Sequence, residues 1–281
     1  MQNQLDSEAK GTTGYAAVKP KILFGAVIPL PPLDEQRRIV ARIEELAARI
    51  GEARRLRRQT LEESDALLSH LGKRSFSRDR KAEKKQLKDI TTRITKGESP
   101  GWQGFAYQDE GPVFVRSENV LWGKLDLSKR VCIPKEFHKK LNRSLLHPGD
   151  VLINLVGASI GRTCVVPDGL GEANINQAVA VISPEFELLD SKYLMHFLMS
   201  PSTQEIIHRK KVETARPNIS LGDLRSLTLP VPHLIEQQRI VAYLEDLMSK
   251  IDAHHHLQMD STHELDVLLI AVLNRAFMGG L

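Results

Sequence analysis

Pro29-Leu-Pro-Pro-Leu-Asp-Glu-Gln-Arg-Arg-Ile-Val-Ala41 returns 201 residues further on as Pro230-Val-Pro-His-Leu-Ile-Glu-Gln-Gln-Arg-Ile-Val-Ala242. The match runs without a gap to Phe76 and Phe277, with 19 identities over 48 positions. Prolines open each copy, and Asp34 is a suitable N-cap behind the first set. Beyond them Ile39, Ile43, Leu46 and Ile50 recur every three or four residues before a wider gap to Leu56, and Ile240, Leu244, Leu247 and Ile251 do the same before a wider gap to Leu257. That near-heptad spacing is the pattern of a helical seam. It predicts a helix over Leu33–Ser77 and a second one after Pro230. About 43 residues at ~1.5 Å each give ~65 Å, too long for a helix to stand without a partner. The nearest partner is the other copy; the alternative is that each helix packs separately on a globular core. A repeat at so long a distance, around an unlike segment, is two struts with a module inserted between them, not a solenoid.

A chain of 281 residues suffices for one or two domains with real cores. With 41% hydrophobic and 26% charged residues the composition is that of an ordinary soluble protein. No run of 18 or more apolar residues suggests a membrane span, and the N-terminus lacks the regions of a signal peptide. Cys132 and Cys164 are the only cysteines, without CxxC spacing, which fits a reduced cytoplasmic protein. The net charge of +4 is unevenly placed. From Arg49 to Lys88, thirteen Lys and Arg face six acids, a local excess of +7. Such an excess suits a phosphate backbone or an acidic partner, or simply a solvated helix face.

The expected organisation is a stub of a first globular module at 1–28, a first long helix at 29–77 and a basic hinge at 78–86. A globular module follows at 87–229, then a second long helix at 230–281. Val18-Lys-Pro-Lys-Ile-Leu-Phe-Gly25 echoes Arg216-Pro-Asn-Ile-Ser-Leu-Gly222, so the repeat extends upstream of the helices. In the module, apolar runs alternate with Gly, Pro, Asn and Asp. Strands are expected at Val113–Ser117, Val151–Val156, Thr163–Val166 and Ala178–Ile182, with helix from Ser191 to Lys211 broken near Ser200. The fold class read from this is α+β: a mixed α/β module with a curved sheet, plus two long paired helices.

The module carries no strong catalytic signature. Gly157-Ala-Ser-Ile-Gly161 lacks the Lys-Ser or Lys-Thr of a phosphate-cradling loop, and no dinucleotide fingerprint, nucleophile elbow or His-Glu-x-x-His exists. His254-His-His256 with His263 does not put a metal-ligating pair on one helix face. What the loops do hold is Lys96, Arg116, Ser117, Asn119, Arg143, Asn154, Ser159, Arg162, Asn174, Asn176 and Arg216. These are side-chain types that grip phosphates and read base edges, although loops are polar for other reasons too. Trp102, Phe105 and Tyr107 lie in the same neighbourhood. Asn154 stands inside the apolar run Val151-Leu-Ile-Asn-Leu-Val156, where a buried amide needs a partner.

The layout resembles the specificity subunit of type I restriction–modification systems. The resemblance rests on the helix-opening motif at Pro29–Val40 and, degraded, at Pro230–Val241. It rests also on Leu145-Leu-His-Pro-Gly-Asp-Val-Leu-Ile-Asn-Leu-Val-Gly-Ala-Ser-Ile-Gly-Arg162 and on the closing segment Arg216–Gly222. It implies a target-recognition domain between two helices that pack as an antiparallel coiled coil. The domain would read half of a bipartite DNA site, with the eleven residues above as its DNA contacts. The helices would dock methyltransferase subunits that carry the S-adenosylmethionine and the catalysis, and a restriction subunit in some assemblies. The chain itself would be no enzyme and hold no cofactor. A full subunit carries two recognition domains and this chain shows one, so pairing of two copies and a closed monomer both remain open. The rival readings are a coiled-coil adaptor, a truncated remnant that binds methyltransferase without specific recognition, and a nuclease using Asp150 and Glu172.

Overall fold

The computed structural model describes residues 30–77, 82–212 and 218–277. The expected stub at 1–28 and Arg216 lie outside them. The chain divides into two units, one made of residues up to Glu63 with those from Ala253 onward, the other of Ser64–Asp252.

Two helices dominate: α1, Leu33–Ser77, and the last helix, α6, Leu234–Phe277. The span of α1 is the one its periodicity gives. Asp34 and Glu35 sit in its first turn and Arg74 in its last, each sign where the helix dipole favours it. In the first unit Ile50 is buried, and Ile39, Ile43 and Leu46 are half-buried. Leu56 is 49% exposed and Leu257 69%. The polar face of α1 is laced with local ion pairs: Arg42 and Arg49 both reach Glu45 at 2.6 Å. The hydrogen bond from Arg42 is the main reason the Glu45 carboxyl is held below its usual value.

The second unit is built around β8, Val179–Pro184, whose six residues are all buried. It is an inner strand of a four-stranded antiparallel sheet, ordered β2 (Thr91–Lys96), β8, β5 (Val151–Asn154), β6 (Thr163–Val165). Ala180 and Ile182 of β8, with Val151 and Ile153 of β5, face one apolar cluster that includes Tyr193, Leu194 and Leu198 of α3 (Ser191–Met199). Val179, Val181 and Leu152 face a second cluster with Val113, Val115 and Ile175. A sheet covered on both faces has no polar face to alternate with, which is why these strands read as continuous apolar runs.

The second cluster is closed by a three-stranded sheet, ordered β4 (Val131–Cys132), β3 (Gln108–Val115), β7 (Ala173–Ile175), with β3 and β7 parallel. A small aromatic core of Phe114, Ile133 and Phe137 seats α2, Lys135–Lys140. After α4 (Pro201–Val212), α5 (Leu221–Ser226) opens on a capping box between Ser220 and Asp223. The module is tied shut where β1, Glu83–Gln86, pairs with β9, Thr228–Val231. Thus part of the expected hinge is strand, and 78–81 lie outside the described residues. Short elements such as β1, β4, β7, α2 and α5 carry too few residues to show a period, and the sequence reading does not find them.

The start of α6 is locked to this module by Gln237. Its buried side chain accepts from Asp190 N at 2.9 Å and donates to Leu188 O at 2.7 Å and Pro232 O at 2.8 Å. Gln36, the equivalent residue of the repeat, donates to Pro31 O at 2.8 Å, which is the equivalent local bond. Val241 and Leu244 are buried behind Gln237, and Ile251 further on; Ile240 and Leu247 are half-buried. At the other helix, Phe76 lays its ring edge-on to Tyr193 and Phe197 at 5.3 and 5.6 Å.

Candidate nucleic-acid interface

The register of the sheets gathers several loops at one end of the module. Lys96 closes β2 opposite Ala180, and Asn154 closes β5 opposite Val179. The parallel pair β3–β7 ends there as well: Val115 lies opposite Ile175, and Asn176 N donates to Val115 O at 3.0 Å. Asn154 stitches the two sheets together. Its buried amide donates to Ser117 O at 2.8 Å and to Val120 O at 3.4 Å. Lys96, Arg116, Ser117, Asn119, Asn154, Ser159, Arg162 and Asn176 therefore come to one end of the fold.

Within that group the roles divide. Asn119, Asn154 and Asn174 are buried, so their amides serve the fold and face no solvent. Asn119 accepts from Arg116 N at 2.9 Å and donates to Asp126 O at 2.9 Å, closing its own loop. Asn174 bonds His138, Leu141 O and Ser144 Oγ. The Asn176 side chain caps Ala178 N at 3.1 Å. Arg116 is committed to Glu118 at 2.6 Å and lies 5.7 Å from the Tyr107 ring. Lys96, exposed, and Arg162, half-buried, have no ion pair among the described residues, and Ser159 is half-buried beside Arg162.

Arg143 stands on a second stretch of the same module. Its backbone carbonyl accepts from Arg93 at 3.3 Å, and its exposed guanidinium meets Glu98 at 3.1 Å. Arg93 is anchored in turn by Asp150 at 2.8 Å and Ser183 Oγ at 3.1 Å. The Asp150 carboxylate is buried and also accepts from His147 N at 2.9 Å and from Ser183 Oγ. Three hydrogen bonds thus tie this carboxylate into the fold and take up most of its acceptor capacity. Among the described residues no group of three His, Cys, Asp or Glu is placed to hold a metal ion.

The sequence names Trp102 but does not show how far it stands out from the surface. Trp102 is 86% exposed, and Gln103 beside it is fixed by Glu98. Exposure of a large apolar side chain is not written in local sequence; the one signal was its place between Pro100-Gly101 and Gly104, a turn that could carry it outward.

Residues 80–259 match the family model for the type I restriction modification DNA specificity domain. The chain belongs to that family. Among curated members it is similar to the type I restriction enzyme EcoBI specificity subunit of Escherichia coli, 27% identical over 93% of this chain and 60% of that one. The MjaVIII specificity subunit of Methanocaldococcus jannaschii is 23% identical over 88% of this chain and 61% of that one. The chain thus spans about three-fifths of the length of these specificity subunits. Its fold matches a chain solved in work on complex assembly and conformational transition of the type I R-M system, with a TM-score of 0.77 and 28% identity over all of this chain and 68% of that one. The HsdS subunit from Thermoanaerobacter tengcongensis follows at 0.62 and 29%, over all of this chain and 67% of that one.

Proposed function

We propose that this chain is a DNA sequence-recognition subunit of a type I restriction–modification complex and has no catalytic activity of its own. The module between the helices reads half of a bipartite site. The helices pair antiparallel as a coiled coil, set the distance to the other half-site, and dock methyltransferase subunits that supply S-adenosylmethionine and the chemistry. The observation that supports this most directly is the convergence of Lys96, Ser159 and Arg162 on one end of a rigid, doubly covered sheet. Cations there with no ion pair among the described residues suit phosphate oxygens, and a fixed framework holds base-reading loops in register.

The repeat supports a second recognition half. Gln36 keeps the local bond of its helix start, whereas Gln237 adds two bonds to the module in front of it. A helix start built to the same plan suits an equivalent module, supplied by a second copy about a two-fold axis. A site read this way is a gapped palindrome. The experiment is equilibrium binding of the purified chain, alone and with its methyltransferase subunit, to duplex DNA across a salt series. A linear fall of log affinity with log salt is the expected result. Binding to methyltransferase with no affinity for DNA at any salt would instead establish the adaptor or remnant reading.

A further inference from the structure

We infer that Trp102 is a wedge that packs its indole against the bases of the bound duplex; this rests on the DNA-recognition reading above. The indole is 86% exposed, the largest exposure among the described large apolar side chains. Exposure alone is common on flexible loops, but this loop is pinned on every side. At its start, Gly97 runs so close to the next segment that an added Cβ would overlap the backbone of Ile175. Pro100 is buried, and its carbonyl accepts from Gln103 N at 2.9 Å and Phe105 N at 3.0 Å, closing the turn that carries Trp102. Gly104 completes the turn in the left-handed region at φ 79°, which favours glycine. At its far end Phe105 packs on Phe137 at 5.0 Å, under Lys140 at 4.8 Å.

The rigid turn stands among cations and polar groups. Glu98 holds both Gln103, next to Trp102 in sequence, and Arg143, while Lys96, which has no ion pair among the described residues, begins the loop. An indole offers one N–H donor and no acceptor, so it cannot read the two-point code of a base edge. It offers instead a large flat apolar face, which is the feature that stacks on bases or inserts at a base step. A pre-ordered loop loses little entropy on making that contact.

The test uses the full chain with its only other tryptophan replaced, Trp122→Phe, so that Trp102 alone emits. Trp122 lies elsewhere on the module, beside Met195, Met199 and Met248. A short fluorescein-labelled duplex is titrated in, reading DNA anisotropy and tryptophan emission together. The wedge predicts quenching of Trp102 in step with binding. In otherwise native chain, Trp102→Ala weakens binding about 10- to 100-fold with the salt slope unchanged, and Trp102→Phe restores most of it. Duplex binding with unquenched emission and an unaffected Trp102→Ala variant overturns the wedge and leaves DNA recognition standing. An emission change on adding the methyltransferase subunit without DNA, and none with DNA, overturns it in favour of a protein contact. No duplex binding by the native chain overturns the recognition reading and the wedge together.

Discussion

Gln36 and Gln237 occupy the same position of the repeat, yet their removal has different costs. Gln237→Ala deletes three hydrogen bonds, two of which join α6 to the loop ahead of α3. At about 0.5–1.5 kcal/mol net for each bond the loss is near 3 kcal/mol. Gln36→Ala deletes one half-buried bond and costs about 1 kcal/mol or less. The assay is urea unfolding followed by far-UV circular dichroism, which reads both units, together with tryptophan emission, which reads the Ser64–Asp252 unit that holds Gln237, Trp102 and Trp122. A lower midpoint at constant slope measures the loss directly. The helix start of α6 is then the joint between strut and module. Equal losses from the two variants, or a Gln237→Ala loss under about 1 kcal/mol, would refute the reasoning, because the three bonds would carry no tertiary contribution.

Four further outcomes follow. Gly97→Ala forces a methyl group into the Ile175 backbone and destabilises the chain by about 3 kcal/mol or more, read from the same unfolding curves. Cys132 and Cys164 are buried, and burial alone pushes the Cys164 thiol up to about 12, so neither reacts with a thiol reagent until the chain is unfolded in urea. Burial also holds buried His196 below its ordinary value, outweighing Glu245 and Asp190, which act to raise it. The unfolded chain therefore takes up a proton near pH 6.5 that the folded chain refuses, so stability is full above about pH 6.5 and declines as pH falls towards the lowered value; His196→Leu flattens that decline in unfolding midpoints. Finally, Lys96→Ala and Arg162→Ala each reduce the slope of log affinity against log salt by about 1, and a slope unchanged in both removes them from the phosphate contacts.

Much of the architecture was legible because it is long-range in sequence but simple in pattern. The Leu33–Ser77 helix follows from spacing alone, since 45 residues give the period many chances to show itself. The strands β5, β6 and β8 follow from apolar runs bounded by turn residues. The short strands β1, β4 and β7 exist because distant partners pair with them, and no apolar run marks them. The same limit applies to the interface. Asn119, Asn154 and Asn174 share their residue type with base-reading side chains, but the register turns all three inward to satisfy loop carbonyls. Lys96 and Arg162 sit where their loops leave them without an ion pair among the described residues. Residue type shows what a side chain can bond; only the fold decides whether a backbone carbonyl takes the bond first.

The most direct measurement is to co-express the chain with the methyltransferase subunit of its own system and map adenine methylation across the host genome by single-molecule sequencing. A working recognition subunit paired about a two-fold axis yields methylation at one gapped palindromic motif, abolished when the chain is omitted. A stable complex with methyltransferase that methylates no motif would contradict DNA recognition by this chain.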